Sequence, residues 1–494
     1  MLALALVVIT KQLGTATRTT LRADRSIRLD AICLLLLIAY FLHFALPARH
    51  GGFREDEMMN IWTYWYLGAF KSILGFVKFW TPYYRPGGVL YYLPLYHFFG
   101  LNPLPYRVVQ ICLVAASIPI AYYLAQLLAS SRAIAFLTVL ALCYHPYVAN
   151  LIFVGAFIYD VLCGLFYFAA LTYYIHIREK TATLRPLQLV LFLALYVCAL
   201  NSKEMAVTLP AMVLIYELLK SLPRANWKSF LSWSWRCAGP SLIAAGMTAI
   251  YVYNKIYGTG SVIRFDAYRP SYSWNNFLTS NARFVGELFY APEKVSPTAL
   301  LLLWAAVFIY AFWSRDRMLQ LMAFWVVIVP LPIAFLIPIR GGGCLYILLF
   351  GWAMICAKAA CDLIALVLDR KSPNRAIRVG LVSVLALSLA IFTHWQNQRL
   401  GTAANLLSVG QKVSHVISAF DSLNVKPAPH STVLLKPDPQ LFQNKWQPLF
   451  IASLIWNDHS LEIWIDKVSE IAPEQLGKAD YVISLTEFKT TVIR

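Results

Sequence analysis

Phe53-Arg54-Glu55-Asp56-Glu57 sets three consecutive carboxylates just past the first long apolar run of the chain, Ala31 to Ala48. An acidic cluster at that position lies where a membrane-spanning segment emerges on its far side, and it is placed for chemistry on a lipid-borne molecule. About thirty residues later, Tyr84-Arg85-Pro86 offers a fixed cation at the same membrane face, and a departing phosphate needs a cation. The plainer alternative for both stretches is a solvated loop with a turn. The rest of the chain decides between the two.

Of 494 residues, 59% are hydrophobic and 13% charged, and the mean hydropathy is +0.61. That mix excludes an ordinary soluble domain and fits a polytopic membrane protein. The net charge of +18 comes from Lys and Arg scattered between apolar runs, without a basic tract. Such scatter fits anchoring on the cytoplasmic side and gives no nucleic-acid motif. The nine cysteines fall mostly within or beside apolar segments, with no CxxC pair and none after Cys361, so they are read as small core residues and not as metal ligands or disulfides. The opening run Met1 to Ile9 is too short to span and has no basic residues before it, so it is not read as a cleaved signal.

Lys11, Arg18, Arg22, Arg25 and Arg28 precede the first apolar run, which puts the N-terminus in the cytoplasm and the carboxylates outside, in the periplasm of a Gram-negative bacterium. Alternating basic loops and apolar runs then predict eleven spans. The second runs from Pro105 to Ala129, the fourth begins near Asn150, the fifth runs from Pro186 to Leu200, the seventh from Pro240 to Tyr257 and the eleventh from Ile377 to His394. Between Asn60 and Trp80 the mixture of Trp62, Trp65, Tyr66, Phe70, Phe76, Phe79 and Trp80 with Lys71 and Lys78 predicts an amphipathic helix in the headgroup plane. From Trp395 onward the sequence is more polar, with strand-like pieces Ser431 to Leu435, Leu461 to Ile465 and Tyr481 to Leu485 and a helix-like stretch Trp446 to Trp456. The expected fold class is therefore an all-α polytopic membrane protein, residues 1–394 with a first extracytoplasmic loop at 49–104, carrying a small extracytoplasmic α/β domain at 395–494.

This topology brings Glu55-Asp56-Glu57, Arg85, Arg107, His145, Asp160, Lys203-Glu204 and Arg340 to the outer ends of spans. Ionisable groups at membrane depth are costly and face a cavity, so their convergence on one face predicts one site.

Taken in order, Asp56-Glu57, Tyr84-Arg85-Pro86, Phe99-Gly100-Leu101-Asn102-Pro103 with Arg107 after it, His145-Pro146, Tyr159-Asp160, and Ser202-Lys203-Glu204 with Leu209-Pro210 resemble the GT-C membrane glycosyltransferases. Within them the chain is similar to the protein O-mannosyltransferase-like and aminoarabinose-transferase-like group, over about residues 30 to 360. The Ser-Lys-Glu and His-Pro stretches are most similar to the transmembrane O-mannosyltransferases that carry tetratricopeptide repeats, and to their bacterial relatives. Arg85 stands where relatives often have His or Lys, Gly87 replaces the second Pro of a His-Pro-Pro form, and no tetratricopeptide repeats follow. The resemblance implies transfer of a sugar from a polyprenyl-phosphate carrier to an acceptor (protein, glycan or lipid) at the outer face by an inverting single displacement. It implies Asp56 as the base, with Glu57 beside it, and cations at the leaving phosphate. For that phosphate the candidates are Arg85, Arg107 and Arg340, with His145, Asp160, Lys203 and Glu204 in support. Such enzymes need no metal, and no ligand spacing here demands one, though a divalent ion stays open.

Each residue has a plainer reading. Arg85 and Arg107 could be snorkelling interfacial anchors, Lys203-Glu204 a charge pair at a helix start, His145 a turn residue beside Pro146, and Asp160 a hydrogen-bonding partner of a neighbouring helix. Arg340, followed by three glycines, is a candidate phosphate ligand. The rival function is a transporter or flippase of lipid-linked sugars, which would show inverted repeats and ionisable residues near the midplane.

Overall fold

The computed structural model describes residues 20–81, 85–222, 227–258, 266–368, 375–470 and 477–494. Lys11, Arg18 and Tyr84 lie outside them. Helix α1 (Thr20–Ala45) is followed by α2 (Glu55–Val77), α3 (Val89–Phe99), α4 (Pro103–Ala129), α5 (Arg132–Cys143), α6 (Asn150–Phe153) and α7 (Ile158–Lys180). Then come α8 (Pro186–Ser202), α9 (Leu209–Ser221), α10 (Trp227–Arg236), α11 (Gly239–Tyr257), α12 (Trp274–Leu288) and α13 (Pro297–Trp313). The bundle ends with α14 (Arg317–Ile328), α15 (Leu331–Ala334), α16 (Tyr346–Leu368) and α17 (Arg375–Leu400).

Each of the eleven expected spans falls on helix, but they are not equal. Among the described residues six helical stretches are long and apolar enough to cross a membrane: Ile27–His50, Pro103–Ala129, Gly155–Lys180, Arg317–Ala334, Gly342–Leu368 and Ala376–Leu400. A seventh is the pair Arg132–Cys143 and Pro146–Phe153, bent by 55° at His145-Pro146. The remaining segments are shorter or more polar. At a rise of about 1.5 Å per residue, the 17-residue α8 covers only about 26 Å, against a hydrocarbon core of about 30 Å. It stops early because Lys203 and Glu204 leave the helix to face a cavity.

The quoted motifs are largely helix junctions. Gly100 ends α3 in a positive-φ conformation (φ 54°), and the Asn102 side chain accepts from Leu104 N–H at 3.1 Å, capping α4 with Pro103 in its first turn. Helix α2 is two helices broken at Gly68 (φ 74°, ψ 164°), a conformation that glycine alone adopts without strain. Its far half exposes Phe70, Ile73, Leu74 and Val77. Trp62 and Trp65 differ from the expectation. Trp62 packs on Phe450 with ring centroids 5.0 Å apart, and Trp65 stacks on His459 at 3.9 Å and donates to Asn457 Oδ1 at 2.7 Å. The C-terminal segment packs against both rings, contacts that an interfacial helix alone does not supply.

That segment contains α18 (Thr402–Ser408), α19 (Gln411–Leu423), β1 (Thr432–Pro437), α20 (Gln447–Trp456), β2 (Glu462–Ile465), β3 (Tyr481–Leu485) and β4 (Thr490–Val492). The sheet order is β2-β1-β3-β4, with β1 parallel to both neighbours and β4 antiparallel to β3. Val433, Leu435, Ile483 and Leu485 are buried in the main core, while Leu434, Val482 and Ala479 cluster on the opposite face, so both faces of the parallel part of the sheet are covered. Helix α17 runs on to Leu400, past the expected boundary at 394.

Candidate active site

Glu55, Asp56 and Glu57 form the first turn of α2, where carboxylates meet the positive end of the helix dipole. Successive helical residues point about 100° apart, so the three side chains reach different places. Glu55 accepts from the backbone N–H groups of Asn444 at 2.9 Å and Gln443 at 3.3 Å, tying α2 to the C-terminal segment. Glu57 turns inward, accepts from Arg54 N–H at 2.9 Å to cap the helix, and is fully buried. Asp56 opens onto a cavity of ≈ 680 Å³. Burial raises the Asp56 pKa from its ordinary value; the neighbouring Glu55 and Glu57 charges raise it further, and Arg340 and Arg54 partly offset them.

Arg107 was expected at a phosphate; it is instead the partner of Glu57. Its guanidinium donates to both Glu57 oxygens, at 2.7 and 2.9 Å, and to the carbonyls of Gly51 and Gly52. Both side chains are fully buried and neither lines the cavity. The pair lies so close to Gly155 that a Cβ there would overlap it.

Arg85 does line the cavity. It sits in a left-handed conformation (φ 41°, ψ 63°), held by Tyr64, whose hydroxyl donates to the Arg85 carbonyl at 2.7 Å. Its guanidinium pairs with Glu204 at 3.0 Å and stacks 5.4 Å above the Tyr159 ring. Gly87 allows this turn to press on α8, because a Cβ there would come within 2.9 Å of the Asn201 carbonyl. Asp160, from the first turn of α7, and Lys203, just past α8, form an ion pair at 2.5 Å. Lys203 also lies 3.1 Å from Cys344 Sγ.

Arg340 faces the same cavity and stacks 5.0 Å from the Tyr268 ring. The cavity therefore joins Asp56, Arg85, Asp160, Lys203, Glu204 and Arg340, and leaves out Glu57, Arg107 and His145. His145 is buried elsewhere. Its Nε2 lies 3.1 Å from the Leu288 carbonyl and its ring stacks on Tyr290 at 4.4 Å, beside an apolar cleft with Trp352 and Phe392. His145 thus lies at the turn beside Pro146, away from the cavity that holds Asp56.

Asn60, Tyr251, Lys255 and Tyr268 also line the cavity, and none of them stands among the sequence-predicted site residues. Arg283 and Glu287, which also line the cavity, stand on α12. Asn60 carried a signal, one helical turn after Asp56 and on its face. Lys255, at the end of an apolar helix, carried little that sets it apart from an anchor. Among the described residues no group of three or more His, Cys, Asp or Glu is disposed to hold a metal ion.

No protein family's sequence profile matches the chain, and no curated protein matches it in sequence. Among solved structures it is similar to ArnT from Cupriavidus metallidurans bound to undecaprenyl phosphate, with TM-score 0.51 and 14% identity over 94% of this chain and 93% of that one. It is also similar to the archaeal oligosaccharyltransferase AglB from Archaeoglobus fulgidus in complex with an inhibitory peptide and a dolichol-phosphate, with TM-score 0.52 and 12% identity over 92% of this chain and 69% of that one. At such identities the likeness is one of fold. It extends through the helical bundle into the C-terminal segment, and it agrees with the motif order: the chain is a GT-C-like polytopic membrane protein with a small C-terminal sheet.

Proposed function

We propose that the chain is an integral-membrane glycosyltransferase that moves a sugar from a polyprenyl-phosphate carrier to an acceptor at the extracytoplasmic face. The observation that carries this reading is the division of labour among the three carboxylates: Asp56 alone opens onto a cavity whose other walls bring Arg85 and Arg340. Support for the carrier comes from the two similar folds, one bound to undecaprenyl phosphate and the other in complex with a dolichol-phosphate. In the proposed step the acceptor oxygen or nitrogen attacks the anomeric carbon from the side opposite the phosphate. The bond from that carbon to the phosphate oxygen breaks, its electron pair stays on the phosphate, and the acceptor proton passes to Asp56. A raised pKa suits Asp56 to take that proton. Arg85 and Arg340 stabilise the charge that grows on the leaving phosphate. Glu204 orients Arg85, and Asp160 orients Lys203 toward the same space. Glu57 and Arg107 act one layer out, fixing the start of α2.

The test is release of polyprenyl phosphate from a labelled lipid-linked sugar by detergent-purified protein. Asp56→Asn is expected to abolish release while donor binding persists. Release at the wild-type rate by Asp56→Asn together with loss in Glu57→Gln would move the base to Glu57. Full activity in both would end the enzyme reading.

A further inference from the structure

Arg340 is followed by three glycines, and each is demanded by a different feature. A Cβ on Gly341 would overlap the Glu287 carboxylate, Gly342 adopts φ 63°, and a Cβ on Gly343 would overlap the Phe157 ring. Such a run is conformationally loose unless something ties it. Glu287 does: its Oε2 accepts from Gly342 N–H at 3.1 Å, while Arg283, one turn earlier on α12, donates Nε to its Oε1 at 3.3 Å. Glu287 is buried and lines the cavity that Asp56 and Arg340 share.

We propose that Glu287 is a positioning residue which, by gripping the Gly341-Gly342 backbone, fixes Arg340 relative to Asp56. The inference rests on the reading of Asp56 as the base. Glu287 acts through Arg340 and touches neither donor nor acceptor in this scheme. A charge-assisted bond to backbone N–H is strong enough to hold a turn, and a displacement of about 1 Å in a reacting constellation costs about a hundredfold in rate. The Arg340 charge also lowers the proton affinity of Asp56. Releasing the turn therefore leaves Arg54 alone to offset burial and the neighbouring carboxylates at Asp56, and its pKa climbs.

Three variants separate this role from general stability. Glu287→Ala removes the grip, Gly341→Ala pushes the carboxylate away from the other side, and Glu287→Gln keeps an acceptor for Gly342 N–H. In the first two the acid limb of the kcat/KM profile is expected to move to higher pH, and turnover at neutral pH to fall about tenfold or more. Glu287→Gln should rescue most of the loss and keep the limb in place. A second readout needs no turnover. In an Arg340→Cys background, maleimide labelling should speed up severalfold on adding Glu287→Ala and stay slow on adding Glu287→Gln. An unchanged labelling rate overturns the proposal. So does an unmoved acid limb in Glu287→Ala and Gly341→Ala while Asp56→Asn is inactive, since Glu287 would then order the turn without serving Asp56. If the wild-type protein moves no sugar at all, the reading of Asp56 fails, and labelling alone decides whether Glu287 holds the turn.

Discussion

Asp56 and Glu57 are neighbours of the same chemical type, and the fold gives them opposite lives. Because the Asp56 pKa is raised, activity that needs its carboxylate ionised is expected to fall as pH drops through a value above the ordinary 3.8, and a pH–rate profile measures it. Stability runs the other way. Between 3.8 and the raised value the folded protein binds more protons than the unfolded chain, so Asp56 favours the fold as pH falls and opposes it as pH rises. Asp56→Asn should therefore melt at or above the wild-type temperature while losing activity. Arg107→Ala should show the reverse emphasis. It strands a fully buried Glu57 charge, which costs about 3–5 kcal/mol and is measurable as a lowered denaturation midpoint. Arg85→Ala strands a Glu204 carboxylate that keeps some solvent access, so it should lower the midpoint less than Arg107→Ala does. Its turnover should fall by about 2–4 kcal/mol of transition-state stabilisation, with Arg85→Lys recovering only part. The order of polar motifs made this site legible, but it could not assign partners. Arg107 and Arg85 look alike in sequence, and only the packing of α4 against the start of α2 shows that one guanidinium is spent inside.

Among the elements, apolar runs located the helices well, because hydrophobic length is written directly in composition. Their ends were harder to place. Glu55 to Glu57 were expected in a loop and instead open α2, since Arg54 in an extended conformation and the Glu57 cap together begin a helix there. The three longer strands were visible as short apolar runs within a polar stretch. Strand β4 was not, having only three residues, Thr490–Val492, and being held by pairing with β3. Helix α2 itself is anchored at both its first turn and its middle by the C-terminal segment. Glu55→Ala combined with Trp65→Ala is expected to loosen that contact, read as faster proteolytic release of residues after 400, with helix content unchanged.

For the whole molecule, the positive-inside pattern and the expected odd number of crossings predict that the segment after Trp395 lies on the side of the first loop. The contacts of Glu55, Trp62 and Trp65 with residues 443–459 bring those two regions together at one end of the bundle. A cysteine at the exposed position of His430 should accordingly be labelled by an impermeant maleimide from outside the cell, and labelling only after permeabilisation would reverse the orientation. The bond between Glu55 and Asn444 has a further meaning in time. The carboxylate helix leaves the ribosome early, yet its anchor lies 389 positions later in the chain. Between those two moments every intervening helix must be made and the sheet brought to the end of the bundle where α2 begins. A chain still being made thus carries Asp56 on an unmoored helix, so the protein is expected to gain its activity only when biogenesis of this far segment is complete.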